Sequence, residues 1–337
     1  MNNKGKGGKL KAFLHSKIFT LICLYIGLVL IFTIWAAIKG ATFLKVSTFK
    51  NILDSVTITG FLTIGAGCLL IAGHLDLAQA SIGAFGGMLL ATAIKAWNLP
   101  WFLAIILALA LCAVFGYVNG ILVVKLHFPS FIGTLAMASM VKGLMYLFAS
   151  FGNNGVAANI NFKNDAIKFI GRGTIFGGFP FGVAVLIVFF IVFGLLMSKS
   201  AWGMKVTLLG GSPVAATLAG INANSIMMIL FVLSAVLGGV GGIFSAARLN
   251  QGSLLALNTN QFTGLTAAIL GGISFGGGVG NMGGAFIGLL ILNTFQIGMG
   301  IVGVNPFWVN VFSGVLLLVA LSFDFFAMLR QKKSLAH

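Results

Sequence analysis

Polar positions in this chain are confined to short breaks between long apolar runs. Ten runs stand out: 18–38, 52–73, 77–97, 101–124, 130–151, 180–198, 225–247, 263–280, 282–303 and 306–329. Each is close to the roughly 20 residues that a helix needs to cross about 30 Å of hydrocarbon. The pattern predicts an all-α integral membrane protein of about ten transmembrane helices. The runs near 77–97 and 263–280 are Gly-rich and weaker, and one of them is expected to be broken or re-entrant. The first run has 21 residues without a charge. A secretory signal has about 7–15 in its apolar region, so this run reads as an uncleaved span.

The breaks divide the chain. Residues 1–17 form a basic tail (Lys4, Lys6, Lys9, Lys11, Lys17), residues 18–329 a single membrane domain, and 330–337 a second short tail. Two polar stretches interrupt the domain: 152–179, expected outside the cell, and 199–224, expected inside and too polar to span. Small residues recur at four-residue spacing in Gly83/Gly87, Gly116/Gly120, Gly238/Gly242 and Gly284/Gly288. In membranes that spacing lets helix backbones approach closely. The run 271–288 holds nine glycines in 18 residues, including Gly271, Gly272, Gly277, Gly278 and Gly280. It lacks the Lys of a phosphate-binding loop and sits in apolar sequence, so a bent, tightly packed helix pair is expected there.

Composition sharpens this. Hydrophobic residues make up 59% and charged residues 7%, against about 25% charged in a soluble domain. Glu is absent, and the acids are Asp54, Asp76, Asp165 and Asp324. A soluble enzyme is excluded. The net charge of +16 would suggest nucleic acid in a soluble protein, but here the bases lie between apolar runs, where they set orientation against membrane lipid. Ten spans put both termini in the cytoplasm. That leaves 11 bases inside, seven outside (Lys39, Lys45, Lys50, Lys163, Lys168, Arg172, Arg248) and two within spans, Lys95 and Lys142. Lys39, Lys45 and Lys50 weigh against this arrangement.

Soluble-enzyme chemistry has no foothold. The four His residues are scattered, the three Cys lie in apolar runs, and no metal spacing, nucleophile triad, carboxylate pair or nucleotide loop is present. Polar residues at membrane depth are the functional candidates, because a charge there costs roughly 2.5–3.5 kcal/mol. Lys142 lies mid-run and should face a cavity or partner. Asp76 follows Gly73-His74-Leu75 and suits a helix N-cap better than a solute ligand. Asn119 is an amide within a run, suited to a neighbouring helix or a polar solute.

Five blocks, in order, resemble the permease subunits of bacterial ATP-binding-cassette importers of the ribose/galactoside type, related to branched-chain amino-acid permeases. AGHLDLAQASIGAFGG (72–87) is similar to the family's GGIDLSVGS block. GYVNGILVVKLHFPSFIGTLAMASMVKGL (116–144) is similar to its NG…PFI-TLG block, and GMKVTLLGGSPVAATLAGIN (203–222) to G-ALGGNEEAARLSGIN. The glycine-rich 264–288 and GIVGVNPFWVNVFSGVLLLVAL (300–321) complete the match over about 50–325. Departures are Ala78-Gln79-Ala80 for Ser-Val-Gly, Val214 for a usual Glu, and Val279 for a common Arg.

The resemblance implies a sugar or similar polar solute, delivered by an extracytoplasmic binding protein and driven by a separate ATPase subunit that holds the ATP and Mg. It implies no cofactor or catalytic residue in this chain, a second permease copy or sister subunit, and location in the bacterial inner membrane. It assigns 199–224 as the ATPase coupling loop: Gly210 and Gly211 as hinge, Pro213 as helix start, Ala215 and Ala216 as docking surface, Gly220 as helix stop. Asp76, Asn119, Thr134 and Lys142 become expected path residues, and the glycines of 271–280 packing or gating residues. Lys163, Lys168, Arg172 and Arg248 become expected contacts for the binding protein. A cation-coupled secondary transporter is the alternative, with only Asp54, Asp76 and Lys142 to serve it. A channel or a non-transporting scaffold is the third reading.

Overall fold

The computed structural model describes residues 17–335 apart from 176, 259 and 261. Most of the basic N-terminal tail therefore lies outside the described residues. The helices are α1 (Lys17–Ile38), α2 (Val46–Ile71), α3 (Gln79–Lys95), α4 (Trp101–Gly120), α5 (Ser130–Phe151), α6 (Asp165–Arg172), α7 (Phe181–Lys199) and α8 (Ala201–Gly211). They continue as α9 (Pro213–Leu218), α10 (Ala223–Leu249), α11 (Thr263–Leu270), α12 (Met282–Ile301) and α13 (Pro306–Leu335). α4 runs on into a π-helical turn, Ile121–Lys125.

Among the described residues eight helices are long and apolar enough to cross a membrane. They account for eight of the ten apolar runs. The other two are the Gly-rich runs, and of these 263–280 is the broken one. Run 77–97 is α3, whose 17 residues rise about 26 Å and are buried at 14 positions, so the protein rather than lipid surrounds it. Run 263–280 is α11, eight residues rising about 12 Å, followed by a loop. Gly272, at φ +90°, ends the helix in a left-handed backbone, and Gly277 and Gly278, at +80° and +71°, turn the loop that follows. Hydropathy does not register this, since Gly is neither polar nor apolar enough to interrupt a run.

Successive long helices alternate in direction, which gives the bundle two ends. At one, β1 (Ile160–Asn161) pairs antiparallel with β4 (Gln251–Gly252), and β2 (Thr174–Ile175) with β3 (Phe179–Pro180). Lys50 shares a cavity there with Arg172 and Arg248, so the α1–α2 connection lies at this strand end with the 152–179 stretch. That stretch is not a plain loop: it holds β1, α6 and the β2–β3 hairpin. At the opposite end α8 and α9 form a helical hairpin beside the α2–α3 connector and the 271–281 loop.

α10 is the hub, packed on α2, α3 and α4. Two of the four glycine pairs face each other across it. A Cβ on Gly242 would run into the carbonyl oxygen of Gly83, and one on Gly87 would come 2.6 Å from that of Gly242. Gly116 of α4 packs on Ala235, and Gly284 and Gly288 of α12 pack on the backbone of Ala267–Gly271. A polar clasp adds to this. Ser55 Oγ donates to Asn293 Oδ1 at 2.7 Å, and Asn293 Nδ2 donates to Thr59 Oγ1 at 3.1 Å, tying α12 to α2.

Gly242→Ala is expected to destabilise the fold by about 1–3 kcal/mol, because backbone on the far side cannot yield. Gly143→Ala, where an added methyl meets nothing within 4 Å, should be neutral. Thermal unfolding of the two detergent-purified variants checks this.

Candidate functional site

The α2–α3 connector, residues 72–78, is held by three helices. Asp76 Oδ1 accepts from Ala78 N at 2.9 Å, and Oδ2 accepts from Ser234 Oγ of α10 at 2.8 Å. The Gln79 N–H adds a further bond to the same carboxylate. Thr134 Oγ1 of α5 accepts from Leu77 N at 3.1 Å, and Ser130 Oγ accepts from Leu75 N at 3.4 Å. The His74 ring lies edge-on to Phe231 of α10. Asp76 is thus a buried cap on the free N–H groups that open α3, where its negative charge also meets the positive end of the helix.

The expected path residues separate under this geometry. Asp76 and Thr134 come together on the connector. Asn119 is buried on α4, beside Gly116 and Gly120, which pack on the Met228–Ala235 stretch of α10 that also holds Ser234. Neither of its amide atoms has a hydrogen-bond partner among the described residues. Lys142 stands apart, eight residues beyond Thr134 and hence about 12 Å further along α5. It is half-buried, next to exposed Met140 and Gly143, with no ion pair among the described residues.

The helical hairpin carries the expected coupling residues. Ser212 Oγ accepts from Ala215 N at 3.2 Å and caps α9, with Pro213 as its first residue. Gly220, at φ +72°, ends it, and Ile221 N bonds back to Ala216 O at 3.0 Å. Two expectations change. Gly210 and Gly211 are not an open hinge. They close α8 and are wedged against Ile71 and Gly278, while Gly278 N donates to Ile71 O at 2.8 Å. Ala216 is fully buried, so it offers no surface. Val214 and Leu218 are presented instead, at 71% and 84% exposure. Their i, i+4 spacing puts both on one face of this six-residue helix, a signal already present in the sequence.

The glycines of 271–280 split into two roles. Gly271 packs on α12, whereas Gly277 and Gly278 join the contact with Gly73, Gly210 and Gly211, and Gly280 meets Ile71. Asp324 of α13 anchors the same loop, accepting from Ser274 Oγ at 3.1 Å and Phe275 N at 2.8 Å.

The four expected docking bases all lie at the strand end. Lys163 and Lys168 line an open cavity of about 630 Å³ with Asp165 and Asn250. Arg248 pairs with Asp54 at 3.2 Å, and Arg172 Nε donates to the Arg248 carbonyl, closing the C-terminus of α10. Part of the basic patch is therefore occupied in holding α6 to α10.

The bundle, with its buried capped connector, broken helix and displayed apolar helix, is that of a multi-pass membrane protein, and its similarity to known proteins identifies it as a permease subunit of the ABC-importer class in the bacterial inner membrane. The family model described as "Branched-chain amino acid transport system / permease component" matches residues 48–321, and the chain belongs to that family. It is 32% identical to the L-arabinose ABC transporter permease protein AraH of Azospirillum brasilense, over 88% of this chain and 86% of that one. The ribose import permease protein RbsC of Bacillus subtilis is 30% identical over 87% and 89% of the two chains. The fructose import permease protein FrcC of Rhizobium meliloti is 28% identical over 94% and 88%. No solved structure matches the chain.

Asp76→Ala should leave the Ala78 N–H and the Ser234 hydroxyl unpaired at a cost of about 1–3 kcal/mol each, lowering the yield of folded protein. Asp76→Asn keeps an accepting oxygen and should recover most of it. Size-exclusion profiles of the two variants in detergent distinguish these outcomes.

Proposed function

We propose that this chain forms the membrane path of an ATP-driven importer for a monosaccharide or similar neutral polar solute. On this reading the strand end faces outward and receives a binding protein. The hairpin end and both termini face the cytoplasm, where α9 seats on a separate ATPase subunit. A second permease, identical or a sister chain, completes the path. Sugar as the solute class is supported by the fructose, arabinose and ribose permeases that the chain resembles.

The observation that carries the proposal is the hairpin. Val214 and Leu218 form an apolar knob at a bundle end, a surface suited to a partner's groove. Their helix is rigidly backed: α8 meets the end of α2 and the 271–281 loop through glycine backbone, so a push on α9 reaches both. A cation-coupled mechanism fits less well. Asp54 is paired with Arg248, and Asp76 is engaged by Ser234 and by N–H groups at the start of α3. Half-buried Lys142 suits the seam with the second permease, because lipid would penalise its charge.

Leu218→Arg should abolish ATP-dependent uptake and co-purification with the cognate ATPase while leaving the permease folded. Wild-type ATPase capture by this variant would overturn the coupling role of α9. Charge reversal of Lys163 and Lys168 to Glu should weaken binding-protein docking and flatten its salt dependence, read by surface binding at two ionic strengths.

A further inference from the structure

We propose that the groove between α7 and α12 seats an anionic phospholipid, with an acyl chain along the groove and the phosphate beside Lys199 at its mouth. The inference needs only that the chain spans a membrane, and it holds whichever solute is carried. The groove encloses about 480 Å³. Its floor is the edge-to-face pair Phe190 and Phe286, with ring centroids 5.0 Å apart, and Ile187, Ile191 and Leu195 line its α7 side. Gly194 gives it depth, since a Cβ placed there would meet only Met282, at 3.8 Å. The two polar side chains on its border bond to nearby backbone. Ser198 Oγ donates to Gly194 O at 2.6 Å, and Asn281 Oδ1 accepts from Gly283 N at 2.7 Å. Such a wall offers little to a sugar and much to an acyl chain.

Length and charge select the lipid. From Ile187 to Ser198 the groove follows α7 for 11 residues, about 16 Å, against about 15 Å for half of a hydrocarbon core of about 30 Å. Its deep end therefore lies near the bilayer midplane, and its mouth opens at headgroup level at the hairpin end. Charge at the mouth has one sign. Lys199 stands one turn beyond Leu195 on the same side of α7, and both it and Lys205 of α8 are exposed. Helices α7, α8, α9 and α12 carry no Asp or Glu. The acids at this end are engaged elsewhere, Asp76 by Ser234 and Asp324 by Ser274 and Phe275. The positive end of the α12 dipole lies at the same mouth. Bases placed so at the membrane surface attract anionic lipid.

A second permease fits this groove less well. A copy related by a two-fold axis here would bring the Lys199 side chains of both chains to one seam, like charge against like. The half-buried Lys142 lies on another flank: α5 packs on α3 and α4, whereas α7 packs on α2, α6, α8 and α12. Lipid seated in the groove also bears on the hairpin end. α7 turns at Ser200 into α8, and Met282 follows the 271–281 loop, so the groove touches both segments that meet at the contact of Gly210 with Gly278.

The test is native mass spectrometry of the full-length permease after equilibration in detergent with palmitoyl-oleoyl phosphatidylglycerol or with phosphatidylcholine of the same chains. The unaltered protein is expected to retain severalfold more phosphatidylglycerol than phosphatidylcholine. Lys199→Gln combined with Lys205→Gln should erase that preference. Gly194→Leu, which fills the groove, should cut retention of both lipids severalfold, with thermal unfolding as the check that the chain is folded. The lysine variant alters only exposed side chains, so it decides the matter alone if Gly194→Leu does not fold. Equal retention of the two lipids by the unaltered protein, an unchanged preference in the lysine variant, or full retention by folded Gly194→Leu overturns the proposal. A further measurement tests the second copy as occupant. Gly194→Cys is made in a Cys23→Ser background, because Cys23 is exposed while Cys68 and Cys112 are buried. Oxidation in membranes is expected to leave the permease uncrosslinked, and a disulfide-linked permease dimer overturns the lipid assignment.

Discussion

The tightest crossing in the bundle is backbone against backbone, where α3 lies on α10. Gly83 and Gly87 face Gly238 and Gly242 with no side chain between them. Lipid tails are as apolar as leucine, so burial alone does not drive helices together in a membrane, and close van der Waals approach has to. On its other flanks α10 takes Gly116 and Gly120 of α4 and packs along α2. The height at which α3 meets α10 then decides that Asp76 reaches Ser234 and that Leu77 reaches Thr134. A shift of one turn, about 5.4 Å, would break both bonds and expose the first N–H groups of α3.

The four aspartates show how little charge such a bundle uses. Asp54 meets Arg248 at the strand end, and Asp165 opens α6. Asp76 caps α3, and Asp324 holds the 271–281 loop to α13. Asp54, Asp76 and Asp324 join segments distant in sequence, whereas the cap of α6 is made by Asn164 beside Asp165. The Asp54–Arg248 pair is partly exposed and worth at most about 1 kcal/mol, so its role is to fix geometry.

The glycine contact among residues 71–73, 210–211 and 277–278 links three segments that sequence separates widely. It sits between the displayed helix α9 and the loop that Asp324 holds to α13. Without side chains to compress, movement at one segment is passed directly to the others. The same close packing explains why Gly210 and Gly211 cannot act as a loose hinge.

The sequence by itself determined the class of fold, the long spans, the two polar stretches, the cap at Asp76 and the start and stop of α9. Each follows from local chemistry: hydropathy over about 20 residues, a carboxylate before a helix, Pro at its first position, Gly at its end. The glycine pairs were legible as contacts, but their partners were not, because a four-residue spacing says that something packs there and not what. Only the tertiary structure decided that α3 is enclosed by protein and that, of the two Gly-rich runs, 263–280 is the broken one. The same holds for the inward turn of Ala216, which leaves Val214 and Leu218 displayed. Proximity between distant segments is set by how helices pack, and no local window of sequence contains it.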